Sequence, residues 1–122
     1  MTILIQTEAT HTVVQIRTNF DAKLMAQSRL IFEELAQHAD RNIILDLSQV
    51  EVLDSSGIGA IVFLFKRLHI KGFKLELKEM QEHPFRLIEQ LHINEIITVS
   101  KKKLPFPYDN QSNPLCYQAK RR

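Results

Sequence analysis

The stretch Leu53-Asp54-Ser55-Ser56-Gly57-Ile58-Gly59 holds two adjacent hydroxyls and two of the three glycines in the chain. Before it, Asn42–Leu47 has an apolar, β-branched core that predicts a buried strand. After it, Ala60–Ile70 is long and apolar enough to predict a helix. The two serines therefore lie where a strand gives way to a helix, and the free N–H groups and dipole of a helix start favour negative charge.

Helix capping is the simplest interpretation of this stretch, because Asp54, Ser55 and Ser56 are all good N-cap residue types. Gly57 and Gly59 weaken that interpretation, since a glycine costs up to ~1 kcal/mol relative to alanine in a helix interior, and less near an end. Their presence suggests a surface kept bare so that another backbone or a bulky group can approach closely.

The longer run Asp46–Gly59 ends a strand in Asp-Leu and enters a helix through Asp-Ser-Ser-Gly-Ile-Gly. It resembles the signature of STAS domains, and of the anti-sigma-factor antagonists in particular, over most of residues 1–100. The resemblance implies a single α/β domain with a mixed, mostly parallel sheet and helices packed mainly on one face. It also implies that Ser55 accepts a phosphate, with Asp54 as its acidic neighbour and Ser56 as the second hydroxyl.

Length and composition fit one globular domain with an extension. The chain has 122 residues, of which 44% are hydrophobic and 25% charged. We predict a STAS domain over residues 1–100 and a basic, proline-containing extension over residues 101–122. Because the surplus of basic residues lies in that extension and not on a folded face, the sequence argues against nucleic-acid binding.

Several features predict a cytoplasmic protein. No apolar run reaches the ~18–20 residues of a membrane-spanning helix, and the start of the chain lacks the pattern of a secretory signal. The one cysteine, Cys116, excludes an internal disulfide and fits a reducing compartment. The five histidines show no paired metal spacing and no phosphate-cradling glycine motif occurs, so we expect no metal or cofactor.

Periodicity predicts the remaining elements. They are strands at Ile3–Ile5 and Thr12–Arg17 forming an antiparallel hairpin, a helix at Asp21–Ala39, a strand at Phe73–Lys78, a helix that begins at Glu82–Pro84 with Phe85, Ile88 and Leu91 buried, and a strand at Glu95–Val99. The resemblance places Asp21 near the phosphate-acceptor loop, as a contact for a partner. A simple helix cap is the alternative for Asp21, because Thr18 replaces the glycine that many family members have at this junction.

The second helix has two different sides on a helical wheel. Ile58, Ile61, Val62, Phe65 and Leu68 should face the sheet, and Gly59, Ala60, Phe63, Lys66 and Arg67 lie opposite, with Ser56 at their head. A phenylalanine on this small and basic side suggests a docking patch, although a lone exposed apolar residue is also common. The predicted partner-binding residues are Asp21, Asp54, Ser56, Gly57, Gly59, Phe63, Lys66 and Arg67.

The resemblance implies a non-enzymatic partner switch. The unmodified protein binds a serine kinase of the anti-sigma type, phosphorylation of Ser55 releases that kinase, and a phosphatase acts as a further partner. Catalysis by Ser55 would need a placed base and an orienting group, which the sequence does not display. The alternative is a constitutive STAS subunit of a membrane-transporter ATPase or of another cytosolic assembly.

Overall fold

The computed structural model describes residues 2–102 of the chain. Its elements are β1 (Ile3–Thr7), β2 (His11–Ile16), α1 (Ala22–Gln37), β3 (Asn42–Asp46), α2 (Ser55–Ile70), β4 (Leu75–Met80), α3 (Glu82–Gln90), one turn of 3-10 helix (Ile93–Glu95) and β5 (Thr98–Lys101). The strands form one sheet in chain order, with β1 antiparallel to β2 and the other neighbours parallel. This arrangement confirms the predicted α/β fold.

The three helices cover one face of the sheet. Each β-α-β connection joins adjacent parallel strands in the same direction along the sheet, and right-handed crossovers then place every helix on the same side. The burial of the strand residues supports this one-sided arrangement. Val14, Leu45 and Leu77 are aligned across β2, β3 and β4 and are fully buried. Their neighbours Ile44 and Glu76 point to the other face and are half-buried.

Helix α2 buries a wider stripe than the helical wheel predicted, because it packs against α1 as well as against the sheet. Ala60, which we expected on the outer side, is only 6% exposed, and the expectation is therefore wrong. Leu64, which the wheel left unassigned, is fully buried. The predicted inner residues Ile61 and Leu68 are buried as expected.

The end of the domain differs from the prediction. Helix α3 ends at Gln90, so Leu91 lies at its C-cap and is exposed, while Pro84 and Ile88 form the buried side. His92 follows in the left-handed conformation (φ 61°) and turns the chain into the 3-10 helix. The last strand therefore begins at Thr98 and not at Glu95.

The structure also defines the turn after α2 and the first residues of the predicted extension. Gly72 adopts the left-handed conformation (φ 84°) in the turn after α2. Of the predicted extension, Lys101 ends β5 and Lys102 is described, whereas residues 103–122, including Cys116, lie outside the described residues. Within residues 2–102, every helix is too short or too polar to cross a bilayer.

Candidate functional site

The site is built where α1 and α2 begin side by side. β2 and β3 are parallel neighbours, so the loops that follow them begin at the same end of the sheet, where the carboxyl ends of the strands lie. Phe20 and Leu53 form a parallel β-bridge between the two loops. The Phe20 N–H donates to the Val52 carbonyl (3.0 Å), and the Val52 N–H donates to Asn19 Oδ1 (3.1 Å). These bonds hold the two helix starts together.

Asp54 joins both helix starts through its carboxylate. Oδ1 accepts hydrogen bonds from the backbone N–H groups of Ser56 (2.9 Å) and Gly57 (3.1 Å), which makes Asp54 the N-cap of α2. Oδ2 accepts from the Ala22 N–H at the start of α1 (3.1 Å). A negative charge is favourable here because the positive ends of two helix dipoles meet at this point.

Asp21 is the N-cap of α1. Its side chain accepts from the Leu24 N–H (3.1 Å), and its extended backbone (φ −135°, ψ −175°) is typical of a cap residue. The capping alternative for Asp21 is thereby confirmed. Because Ala22 bonds to Asp54, the structure also brings Asp21 close to the start of α2, as the resemblance implied. The half-buried Asp21 side chain remains a predicted partner contact.

Ser55 is the first residue of α2 and is exposed. Its hydroxyl forms no hydrogen bond with any other group in residues 2–102. Since Asp54 supplies the cap, the Ser55 side chain has no capping role, and it is exposed to solvent. Ser56 is half-buried and lies at the head of a groove between α1 and α2.

The two glycines of the first turn have different reasons to be glycine. Gly57 is buried, and a Cβ there would lie 2.3 Å from the Phe20 carbonyl oxygen and 2.7 Å from Leu53 Cδ1. The close approach that we inferred from the sequence is thus internal at Gly57. Gly59 is exposed with open space around it, so the described residues provide no packing reason for its missing side chain.

A shallow groove runs from Ser56 along the seam between α1 and α2. Near Ser56 it encloses about 330 Å³, and farther along a second part encloses about 520 Å³. Phe63 lines both parts and is half-buried. The Arg67 guanidinium lies 5.2 Å from the centroid of the Phe63 ring, within cation–π distance. Phe63 is therefore a wall of the groove and not a lone apolar residue, while Lys66 is exposed beside it.

The opposite wall of the groove comes from α1, and the sequence-based site missed it. Met25, Arg29 and Glu33 line the part next to Ser56, and the Arg29 Nε donates to Glu33 (3.1 Å). The amphipathic pattern of the sequence predicts this helix and separates an apolar side from a polar side. It contained no signal for which of the remaining residues would lie beside α2. The described part of the chain also holds no cluster of three or more His, Cys, Asp or Glu side chains that could bind a metal ion.

Comparison with known proteins identifies the class of this fold. The model of the STAS domain family matches residues 3–103, and the chain belongs to the STAS domain family. A Thermotoga maritima protein described as a candidate anti-sigma factor antagonist is 19% identical, with a TM-score of 0.73 over 80% of this chain and 84% of that one.

Two further solved structures have the same fold. An anti-sigma-factor antagonist (STAS) domain protein of Planctomyces limnophilus is 23% identical, with a TM-score of 0.72 over 83% of this chain and 91% of that one. The Bacillus cell fate determinant SpoIIAA, in its phosphorylated form, is 13% identical, with a TM-score of 0.64 over 82% and 92%. The chain thus shares its fold with these three proteins.

Proposed function

We propose that this protein is a non-enzymatic partner switch. In its unmodified form it binds a serine kinase of the anti-sigma type, and phosphorylation of Ser55 releases that kinase. The observation that supports this proposal is the division of tasks at the start of α2. Asp54 satisfies the helix N–H groups, while the Ser55 hydroxyl is exposed and makes no hydrogen bond within residues 2–102. A kinase can therefore modify Ser55 without breaking the cap.

A phosphate at this position acts on the partner more than on the fold. It adds about −1.5 to −2 charges and three acceptor oxygens. The N–H groups of Ser56 and Gly57 already donate to Asp54, so they are not free to bind the phosphate. The phosphate on Ser55 therefore projects into solvent beside a carboxylate. A protein docked at this surface would be repelled by the bulk and charge of the phosphate. A loss of ~3 kcal/mol in the free energy of binding lowers the affinity more than a hundredfold.

The proposed docking surface follows the groove between α1 and α2. Gly59 leaves its first turn bare, Phe63 provides the apolar contact, and Lys66 and Arg67 provide positive charge for acidic groups of the partner. Asp21, Asp54 and Ser56 complete the set at the head of the groove, where the two aspartates also cap the helix starts. Gly57, which we also predicted as a partner contact, is buried and instead allows the two loops to pack closely.

The proposal has consequences for the surroundings of the switch. Release of the kinase must be reversible, so a phosphatase that removes the phosphate from Ser55 is the second expected partner. Both enzymes and the protein would then share the cytoplasm. A constitutive subunit of a transporter ATPase or another assembly would differ from this switch, because its binding would not depend on the state of Ser55.

Two variants at Ser55 test the proposal. Ser55→Ala should bind the kinase as wild type does and accept no phosphate, whereas Ser55→Asp should bind at least tenfold more weakly. Pulldown with wild type and the two variants, followed by mass spectrometry, identifies the kinase and locates the phosphate, and calorimetry with the purified kinase then measures binding. Ser56→Ala is the matched control and should still be phosphorylated at Ser55. Equal affinity of Ser55→Asp and wild type would contradict the switch, as would equal loss of binding in both Ser55 variants.

A further inference from the structure

The outer edge of β1 is one of the two outer edges of the sheet among the described strands, and β5 forms the other. Two backbone hydrogen bonds at the ends of β1 determine which of its groups face β2. The Arg17 N–H donates to the Thr2 carbonyl (2.7 Å), and the Glu8 N–H donates to the His11 carbonyl (2.8 Å). In an antiparallel pair, hydrogen-bonded and non-hydrogen-bonded positions alternate along the strand. The even-numbered residues of β1 are therefore the ones bonded to β2.

This alternation leaves the odd-numbered residues free to bond outward. Leu4 and Gln6 direct their N–H and C=O groups toward β2, while those of Ile3, Ile5 and Thr7 point away from the sheet. Leu4 is 45% exposed and Ile5 is 44% exposed, on opposite faces of the strand. Within residues 2–102, the edge thus combines backbone groups that have no strand partner with exposed apolar side chains.

Natural edge strands are usually protected against pairing by charged residues, proline, bulges or short length. The Ile3–Thr7 strand has five residues, and none of them is charged or proline. Its pairing with β2 is regular over its whole length. Beside it lies a groove of about 640 Å³ between β1 and α1. Its lining includes the apolar residues Ile5, Ile31 and Leu35 and the charged residues Glu34, Asp40 and Arg41. The opposite edge, β5, is shorter and carries Lys101.

We propose that β1 pairs with β1 of a second copy of this chain, antiparallel, across a two-fold axis at Ile5. In this register Ile5 lies opposite the partner's Ile5, and Ile3 lies opposite the partner's Thr7. All outward N–H and C=O groups of Ile3, Ile5 and Thr7 are then satisfied, in roughly six hydrogen bonds. A shift of two residues would leave the outward groups of one residue in each copy unpaired.

A second copy fits this edge better than an unrelated strand, because the strand is complementary to itself. With no charged residue in β1, the two-fold axis brings no like charges together. The two Ile5 side chains meet on the helix side of the sheet, beside the groove between β1 and α1 and near its apolar residues Ile31 and Leu35. The contact is isologous and uses up the edge in both copies, so it closes as a dimer and does not extend into a fibre.

The expected dimer is weak and independent of the Ser55 switch. An interface of two short strands and their flanking side chains falls in the class below ~1,200 Å², which is typical of transient complexes. We therefore expect dissociation in the micromolar range. Helix α1 borders the β1 groove on one side and the α2 groove on the other, so the dimer leaves the proposed kinase-binding surface accessible.

Sedimentation of the full chain over about 1–500 µM tests the dimer. Wild type should show a monomer–dimer equilibrium, and Ile5→Lys should weaken it at least tenfold because two ammonium groups then face each other at the axis. Ile70→Lys is the matched control, since Ile70 is 80% exposed on α2 and its replacement should leave the equilibrium unchanged. A monomer over the whole range, or equal association of Ile5→Lys and wild type, would overturn the proposal.

Disulfide trapping tests the register without relying on stability. In a Cys116→Ser background, Ile5→Cys should form a covalent dimer on mild oxidation, because the two Cα atoms lie ~5.5 Å apart. Thr7→Cys should not, because its two copies lie roughly 14 Å apart in this register. Equal cross-linking of both variants would overturn the two-fold register. A monomer whose cysteine at this edge links only to another protein would assign the edge to a foreign strand.

Discussion

The two ends of the α1/α2 pair are each stabilised by one charged side chain, and the two side chains have opposite charge. The helices run parallel, so the positive ends of their dipoles lie together at the carboxyl ends of the parallel strands, and the negative ends lie together at the amino ends. At the positive end the Asp54 carboxylate accepts from N–H groups of both helices. At the negative end the Lys71 ammonium donates to the carbonyls of Ala36 (3.0 Å) and Gln37 (2.6 Å) at the end of α1.

The difference between the ends lies in what surrounds each anchor. Lys71 is followed by the turn residue Gly72, and no exposed hydroxyl or other nucleophile adjoins it in the sequence. Asp54 is followed by the exposed Ser55 hydroxyl, and the bare Gly59 lies one turn farther on. A charged residue that ties two helix ends together is therefore a structural device found at both ends. The free hydroxyl beside one of them is what marks the candidate functional site.

The largest expected effect on stability comes from filling the space at Gly57, at the positive end of the helix pair. Gly57→Ala would place a Cβ 2.3 Å from the Phe20 carbonyl oxygen, which is backbone and cannot rotate away. We expect a loss of roughly 2–4 kcal/mol in the free energy of unfolding, measured by urea denaturation. Gly59→Ala is the matched control and should be neutral or stabilising by up to ~1 kcal/mol. Equal losses in the two variants would contradict the packing reason given for Gly57.

Removal of the Asp54 carboxylate should be the next largest effect. Asp54→Ala leaves three backbone N–H groups without their acceptor, and we expect a loss of about 2 kcal/mol, at the upper end of the range for a single cap. Asp54→Asn keeps one acceptor oxygen and should lose less. Hydrogen exchange should report faster opening at Ala22 as well as at Gly57. A change confined to α2 would contradict the bridging role.

Local patterns predicted the site's position, and contacts between distant residues refined it. The β-branched run, the two glycines and the Asp-Ser-Ser sequence place Ser55 at a helix start, because strand, turn and cap preferences act over a few residues. The bond from Ala22 to Asp54 spans 32 residues, and the contact of Gly57 with Phe20 depends on the docking of two loops. Such contacts leave no local pattern, so the sequence suggested an external reason for Gly57.

Removal of the Lys71 ammonium at the negative end should lower stability less than removal of the Asp54 carboxylate at the positive end. Lys71→Met keeps much of the apolar stem but removes the donor to the last carbonyls of α1. The carbonyl of the exposed Gln37 can bond to water instead, which limits the loss. We expect a loss of about 0.5–1 kcal/mol by thermal denaturation. Lys74→Met, on an exposed residue nearby, is the control and should change stability by less than ~0.5 kcal/mol. A loss as large as that of Asp54→Ala would contradict the ranking.

The smallest expected effect on stability belongs to the residue with the largest proposed effect on binding. Ser55→Ala removes a hydroxyl that is exposed and unbonded within residues 2–102, so the free energy of unfolding should change by less than ~0.5 kcal/mol. Alanine is the better helix former, which favours a small gain. The same urea series as for Gly57→Ala measures it. A loss above ~1 kcal/mol would mean that Ser55 helps to cap α2. The positive and negative ends would then both be purely structural, and the free hydroxyl would no longer distinguish them.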